Sequence, residues 1–386
     1  MLQLANFDRD DFLAHYWQKK PLLIRQALPD LETALSPEEL AGLACEQGVH
    51  SRLVVEKDGD KPWQLSYGPF AEEVFTSLPL THYSILVSEC EKWIPELQEL
   101  VDLFNFIPKW RIDDLMISYA PDQGSVGPHI DEYDVFLIQA KGERHWSIES
   151  SINAHPELIP DLDLAIMQNF NPDQEWVLQP GDMLYLPPKI AHHGVASGEG
   201  CMTYSVGFRA PALSDIMDSF LLEASEHKLT DMRYYDPPLS GGRNPAEIMS
   251  GDIQHFKALV LQLFEQADKL WPDIVGKLLS DSALSDDVES IKCDTMHQAA
   301  EYLWQKHPDS KMFYYQAEQH IHLYFNGQMK RLELLEINLD FCQMLCNQLI
   351  ISFEGYYQVL SAETTGLVLQ LINSRALIPV LEENDE

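Results

Sequence analysis

Long apolar runs are missing from this 386-residue chain, and no uninterrupted stretch approaches the roughly 18–20 residues that a membrane-spanning helix needs. A membrane-embedded protein is therefore not expected. The N-terminal MLQLANFDRDDF is acidic and lacks an apolar segment, so a secretory leader of the usual kind is not expected either. Cysteine is sparse: Cys45, Cys90, Cys201, Cys293, Cys342 and Cys346 include no C-x-x-C pair and no zinc-like spacing. That pattern excludes a disulfide framework and suits a reducing compartment, so the protein is expected to be cytoplasmic. Cys342 and Cys346, four apart on an expected helix, read as core-facing thiols. Basic residues are also few. With 26 Lys and Arg against 61 Asp and Glu, the net charge is −35. General nucleic-acid binding, which needs clustered Lys and Arg against phosphates, is disfavoured, and encounter with a basic partner is favoured. Repeats and low-complexity tracts are absent apart from a short acidic end at 382–386.

What is present suffices for large cores. The residues are 45% hydrophobic and include eight tryptophans, and the length suggests two or three domains. Residues 8–17 read as a helix and Pro21-Leu22-Leu23-Ile24 as a strand. Ser36-Pro37-Glu38-Glu39 opens another helix with a capping signature. From about 112 to 210 come short β-like runs bounded by Gly, Pro, Asp and Asn: 115–119, 135–138, 145–148, 183–186 and 202–206. Their spacing predicts a sandwich or barrel rather than alternating β-α units.

After Arg209-Ala210-Pro211 the pattern turns helical. Ser214 is placed to cap a helix carrying Ile216 and Phe220. A Pro/Gly-rich break at 236–242 follows. A second helix then lines up Ile253, Phe256, Val260, Leu263, Phe264, Ala267 and Leu270, an apolar stripe that suits either its own domain or a subunit interface. In 286–386, Thr295–Lys306 reads as a helix, 321–325 with Asn326-Gly327 as a hairpin strand and its turn, and 338–352 and 363–375 as helices. Helices around a small hairpin suggest a winged-helix shape, yet this stretch holds six basic and sixteen acidic residues, so direct DNA binding is not expected.

The chemistry is concentrated in two places. In Gly127-Pro128-His129-Ile130-Asp131, a strand start would aim His129 and Asp131, two apart, at the same point. Gly181-Asp182-Met183-Leu184-Tyr185-Leu186-Pro187-Pro188 follows, and then His192 and His193. Two histidines and a carboxylate on neighbouring strands form the facial triad that suits non-heme iron(II), leaving positions open for a bidentate co-substrate and oxygen. An H-x-D alone is weak evidence, but with G-D-x-L-Y-x-P and a histidine five residues beyond that proline it is strong. Adjacent extended residues face opposite ways, so only one of His192 and His193 reaches the metal, and the spacing favours His192. Arg144, in Gly142-Glu143-Arg144-His145-Trp146, offers the planar fork of donors that a co-substrate carboxylate needs. Ser118 can add a hydroxyl.

The run His129-x-Asp131-x-Tyr133-Asp134-Val135-Phe136-x-x-Gln139-x-x-Gly142-x-Arg144-x-Trp146, with Pro180-Gly181-Asp182-x-Leu184-Tyr185-x-Pro187 and His192, resembles the JmjC-type ribosomal oxygenases of the cupin superfamily. It is most similar to the bacterial ribosomal-protein arginine hydroxylases. Trp17-Gln18-Lys19-Lys20-Pro21, the 110–118 segment and the 204–211 segment share that resemblance. It implies an α+β fold: a double-stranded β-helix (jelly-roll, cupin) catalytic domain with an N-terminal extension over 1–211, a helical dimerisation segment over 212–285 and a winged-helix-like domain over 286–386. It further implies metal ligation by His129, Asp131 and His192, and 2-oxoglutarate binding at Ser118 and Arg144. The implied reaction is hydroxylation of an arginine side chain in large-subunit ribosomal protein sixteen, with O2 consumed and succinate and CO2 released. His193 departs from the expected pattern. Asp113, Asp114, Glu132 and Asp134 are candidates to hold the substrate guanidinium. The alternatives are a ribosomal-protein histidine hydroxylase or lysine demethylase sharing the mechanism, and a non-enzymatic cupin-like scaffold.

Overall fold

The computed structural model describes residues 2–57, 62–152, 155–236, 238, 241, 244–285, 288–356 and 358–380. The acidic end at 382–386 and most of the 236–242 break lie outside the described residues. The chain forms two compact units, Met1–Ala210 and Pro211–Glu386.

The first unit is built on strands β1 (Leu22–Ile24), β2 (Ser51–Glu56), β3 (Trp63–Tyr67), β4 (Tyr83–Val87), β5 (Ile112–Ala120), β6 (Asp134–Glu149), β7 (Gln174–Leu178), β8 (Met183–Leu186) and β9 (Ala191–Phe208). Their order is β1-β8-β6-β9-β5-β4-β2-β3, with β7 added on β6. Every pairing is antiparallel, the arrangement of a jelly-roll sandwich. Helices α1 (Arg9–His15), α2 (Pro37–Leu43), α3 (Glu72–Thr76), α4 (Cys90–Trp93) and α5 (Leu97–Asp102) complete it. Asp8 caps α1 by accepting from Asp10 N and Asp11 N, and Ser36 with Glu39 closes the expected capping box on α2.

The runs at 135–138 and 145–148 prove to be one strand. β6 pairs with β8 through its first half, with β7 through its second, and with β9 along both. The bend between the halves falls where the β6–β9 register slips, between Gln139 and Glu143. Gly142 sits there at φ 65°, and a Cβ would lie 2.5 Å from the Gly200 carbonyl oxygen, so only glycine fits. The buried Gln139 amide stitches the bend by donating to Lys141 O at 2.8 Å and Gly142 O at 3.2 Å. Below it lies an aromatic core in which Phe12 meets Tyr185 edge-on at 4.8 Å and Phe104 packs on Phe136 at 4.6 Å. Each such fully buried ring contributes about 1.5–3 kcal/mol.

The second unit begins with α6 (Leu213–Glu226), α7 (Ser250–Gln266) and α8 (Trp271–Ser280). Ser214 is not the cap of α6. The cap position is Ala212, whose N–H donates to Asp215 Oδ2 at 2.8 Å, so the first-turn carboxylate meets the open N–H instead. The apolar stripe of α7 also splits. Leu263 and Phe264 turn inward, with Phe264 stacked on the buried Phe220 at 4.6 Å, while Ile253, Phe256 and Val260 stay 47%, 56% and 53% exposed.

Of the helix expected at Thr295–Lys306 only α9 (Met296–Ala299) forms, capped by Thr295 and Gln298. Leu303–Lys306 is instead strand β10. The chain continues through β11 (Met312–Gln316), β12 (His320–Phe325), β13 (Gln328–Glu333), α10 (Glu336–Asn347), β14 (Ile350–Ser352), α11 (Ala362–Asn373) and β15 (Leu377–Pro379). β10 lies between β14 and β15, so the end of the expected 338–352 helix is strand as well. The Asn326-Gly327 turn joins β12 to β13 with φ of 49° and 72°, the left-handed pair that a tight hairpin requires. Cys342 and Cys346 are buried as expected, and burial pushes the Cys342 thiol up to about 12.

Candidate metal centre

The side chains of His129, Asp131 and His192 converge: one ligand atom from each lies within 4.8 Å of the others. Both imidazole Nε2 atoms face the same carboxylate oxygen, Asp131 Oδ2, at 3.9 Å from His129 and 3.6 Å from His192. The backbone sets this orientation. His129 Nδ1 donates to Gly127 O and His192 Nδ1 donates to Ile190 O, each at 2.9 Å. Those bonds fix the protonated nitrogen and leave both Nε2 lone pairs aimed at the common point, the usual support for a metal-bound histidine. Burial first, then the neighbouring His129, push the His192 imidazole down to about 4, so it is neutral and ready to coordinate near pH 7.

The H-x-D segment is not the start of a ladder strand. His129 makes an isolated bridge with His192, and the strand begins only at Asp134. The bridge (His129 N to His192 O at 3.0 Å, His192 N to His129 O at 2.9 Å) joins the two halves of the motif directly. Lys189, at φ 65° after the two prolines, donates its N–H to Asp131 O at 2.7 Å and holds the third member in place. The Gly181-Asp182 turn has an equally concrete role. Asp182 accepts from Gln179 N at 3.0 Å, Gln26 N at 2.9 Å and Arg25 Nη1 at 2.6 Å, anchoring β8 to the segment after β1.

A cavity of about 300 Å³ contains the triad. One face of the sheet lines it with residues two apart: Asp114, Met116 and Ser118 of β5, and Thr203, Ser205 and Gly207 of β9. Arg144 and Trp146 enter from β6. Arg144 is 4% exposed; its Nε approaches Cys201 Sγ at 3.4 Å, and its Nη2 has no hydrogen-bond partner. Among the described residues no carboxylate pairs with it. A buried guanidinium without a carboxylate partner is costly unless an anion enters, so the cavity suits an anionic ligand beside the triad. Ser118 also lines the cavity, with a long 3.4 Å bond from its hydroxyl to Thr203 O. The donor set and the orphaned Arg144 nitrogen thus fit iron(II) and a carboxylate co-substrate.

Of the four acidic residues considered for gripping substrate, only Asp114 lines this cavity. Burial, then the nearby Asp113, raise its carboxyl to about 6. Asp134 is excluded: it is fully buried and accepts from Tyr185 Oη at 2.6 Å, Arg111 Nη2 at 3.0 Å and Gln18 Nε2 at 3.1 Å. Glu132 is exposed and lies 3.4 Å from Lys189 Nζ, and Asp113 is exposed on the other face of β5. The cavity wall at Leu164, Ala165 and Ile166, held by Met167 N donating to Pro128 O at 2.8 Å, went unforeseen because that stretch has no periodicity to mark it. His193 does not converge with the triad; its Nε2 lies 2.9 Å from Ser125 Oγ.

A 2-His-1-carboxylate cluster beside a buried arginine in a jelly-roll defines the non-heme iron oxygenase class. Comparison with known proteins narrows this. The JmjC domain profile matches residues 99–216, and an AraC-like ligand-binding domain profile matches 171–270. The chain is 38% identical over 274 residues to the ribosomal protein uL16 3-hydroxylase of Escherichia coli K12, covering 70% of this chain and 71% of that protein. It is 34% identical over 343 residues to a probable ribosomal oxygenase of Haemophilus influenzae, covering 84% and 83%. The structure of the E. coli ribosomal oxygenase YcfD with cobalt and 2-oxoglutarate superposes with a TM-score of 0.80 at 29% identity, over 98% of this chain and 99% of that one. The chain belongs to the JmjC-type ribosomal oxygenases, enzymes that depend on iron(II) and 2-oxoglutarate. A non-enzymatic scaffold is thereby ruled out. Among the described residues no helix is long and apolar enough to cross a membrane.

Proposed function

We propose that this enzyme hydroxylates an arginine side chain of large-subunit ribosomal protein sixteen in the cytoplasm, consuming 2-oxoglutarate and O2 and releasing succinate and CO2. The observation that carries the co-substrate assignment is the buried Arg144, unpaired in the cavity that holds the triad. In this reading His129, Asp131 and His192 hold iron(II) through the two Nε2 atoms and the Asp131 carboxylate. When bound, iron(II) supplies the activation of O2 that hydroxylation of a C–H bond requires. Arg144 takes the far carboxylate of 2-oxoglutarate with its free Nη2, and Ser118 adds a hydroxyl donor. Val135, Leu137, Trp146 and Ile166 line the cavity with apolar surface, which limits water around the reacting groups.

Two features support a basic substrate, and arginine in particular. The net charge of −35 favours encounter with strongly basic ribosomal proteins, though it selects no residue. Asp114 offers a carboxylate inside the cavity, accepting from Glu89 N at 3.2 Å with the Arg52 charge nearby, and it can hold a guanidinium while the aliphatic stem lies beside the metal. The similarity to the E. coli uL16 3-hydroxylase supports the ribosomal protein as substrate. With Fe(II) and 2-oxoglutarate, peptides from that ribosomal protein should gain one oxygen on arginine in step with succinate, and replacing the arginine by lysine should stop it. Asp114→Asn should raise KM for the peptide roughly 10- to 150-fold, the loss of a charged hydrogen bond worth about 1.5–3 kcal/mol, without changing 2-oxoglutarate affinity. Oxygen on histidine peptides instead, or lysine demethylation, would overturn the arginine assignment and leave the iron chemistry standing.

Residues 1–211 act as the catalytic domain in this proposal, 212–285 as a dimerisation segment, and 286–386 as a winged-helix-like domain that does not bind DNA directly. The exposed Ile253, Phe256 and Val260 on α7 support a homodimer, since three large apolar side chains at helical spacing gain from being covered. Phe256→Asp with Val260→Asp should yield a folded monomer by light scattering. A wild-type protein already monomeric at micromolar concentration would remove the dimer.

A further inference from the structure

His193 is neither part of the converging triad nor in the cavity lining, yet it is tied to the loop that carries His129. We propose that His193 is a positioning residue for the metal centre, acting through Ser125 to fix the orientation of His129. The inference rests on the metal-centre reading above.

The geometry follows from how residues 123–129 run beside β9. One attachment lies at Ala196, where Gln123 N donates to Ala196 O and Ala196 N donates to Gly124 O, both at 2.9 Å. The next lies at His192, through the paired backbone bonds with His129. From Gly124 to His129 is five steps, while from Ala196 to His192 is four. The loop therefore carries one residue more than the strand opposite, and among the described residues no backbone bond joins it to β9 between the two attachments. A side chain closes that gap. Ser125 Oγ accepts from Gly127 N at 3.0 Å and shares a hydrogen bond with His193 Nε2 at 2.9 Å. Gly127, held at φ 79°, then presents its carbonyl to His129 Nδ1 at 2.9 Å.

The chain of contacts is thus His193, Ser125, Gly127 and the Nδ1 of His129. Consecutive residues of one extended strand serve the same centre from opposite faces: His192 as ligand, and His193 as the tie that holds the opposing ligand's loop. The ring of His193 is itself located by an edge-on contact with Phe170 at 6.2 Å. Ser125 is held independently, since its carbonyl accepts from Ser84 Oγ at 3.1 Å. Loss of the His193 bond would leave the Ser125 hydroxyl free to rotate off Gly127 N, and with it the carbonyl that sets the His129 ring. Partners that orient metal ligands in this way typically govern 10- to 100-fold in metal affinity.

The test uses the full-length protein stripped of metal and titrated with Co(II). Affinity and the visible spectrum of the bound ion are read out, and unfolding of the metal-free protein is followed in parallel. His193→Leu should weaken Co(II) binding roughly 10- to 100-fold and alter the spectrum, with the metal-free unfolding temperature little changed. His193→Gln, whose amide can reach Ser125 as Nε2 does, should restore both. Ser125→Ala, too small a change to threaten the fold, should match His193→Leu, and the double variant should be no worse than Ser125→Ala alone. Wild-type affinity and spectrum in His193→Leu, equal losses in the Leu and Gln variants, or additive losses in the double variant would each overturn the proposal. His129→Ala separates the two layers of the argument: if it still binds Co(II) like wild type, the metal-centre reading is what has failed.

Discussion

Alanine at His129, Asp131 or His192 is expected to abolish turnover and to remove stoichiometric iron(II) binding by anaerobically purified protein. The size of the effect follows from the donor set. In the proposed centre each ligand would supply one of three protein contacts, both imidazoles are already oriented by backbone carbonyls, and among the described residues no other metal-binding side chain converges with the three. His193 cannot stand in for His192, because it lies on the opposite side of β9 with its Nε2 engaged by Ser125. The measurement is metal content together with succinate release. A dead His193→Ala alongside an active His192→Ala would reverse the ligand assignment. The three losses should not add, since removing any one ligand already disables the unit.

Arg144 carries the second large effect. Arg144→Lys keeps a positive charge but loses the planar fork, and a shorter reach leaves the ammonium unable to reproduce two parallel donors. Its apparent KM for 2-oxoglutarate should rise by roughly 10- to 150-fold, corresponding to about 1.5–3 kcal/mol for a hydrogen bond to a charged group. Iron affinity should change far less, because Arg144 is not among the residues that converge as metal ligands. Arg144→Ala should be more severe in co-substrate binding while removing the cost of burying an unpaired cation, so the co-substrate-free protein should be no less stable. Titration of 2-oxoglutarate into the metal-loaded variants checks this directly. An Arg144→Ala enzyme with wild-type 2-oxoglutarate dependence would place the anchor elsewhere.

Both effects concern residues whose types and spacing are visible in the chain, whereas the substrate pocket was less legible. Four carboxylates near the H-x-D motif were equivalent in sequence. The fold separated them: the alternation of β5 turned Asp114 into the cavity and Asp113 out, and Asp134 was consumed by Arg111, Gln18 and Tyr185. Arg111 and Gln18 are remote from Asp134 in the chain, so no local pattern could announce the pairing. The wall at Leu164–Ile166 was invisible for the same reason, being defined by what it packs against.

The sequence by itself determined the features that short-range chemistry controls. Ser36 with Glu39 and Thr295 with Gln298 form capping boxes, and Asn326-Gly327 takes the left-handed turn, because each arrangement is completed within a few residues. The three side chains that converge were readable too, since H-x-D, the G-D-x-L-Y-x-P turn and His192 combine residue type with fixed spacing. Tertiary structure alone decided the rest. Leu303–Lys306 and Ile350–Ser352 read as helix locally but became strands because they pair with each other, with β15 completing the sheet, and those hydrogen bonds outweigh a weak helical preference. Two apparent short strands fused into β6 because β9 pairs with both halves across the bend at Gly142. His129 came to face His192 through a backbone bridge between segments more than sixty residues apart, a contact whose register depends on the folded sheet and that no local preference encodes.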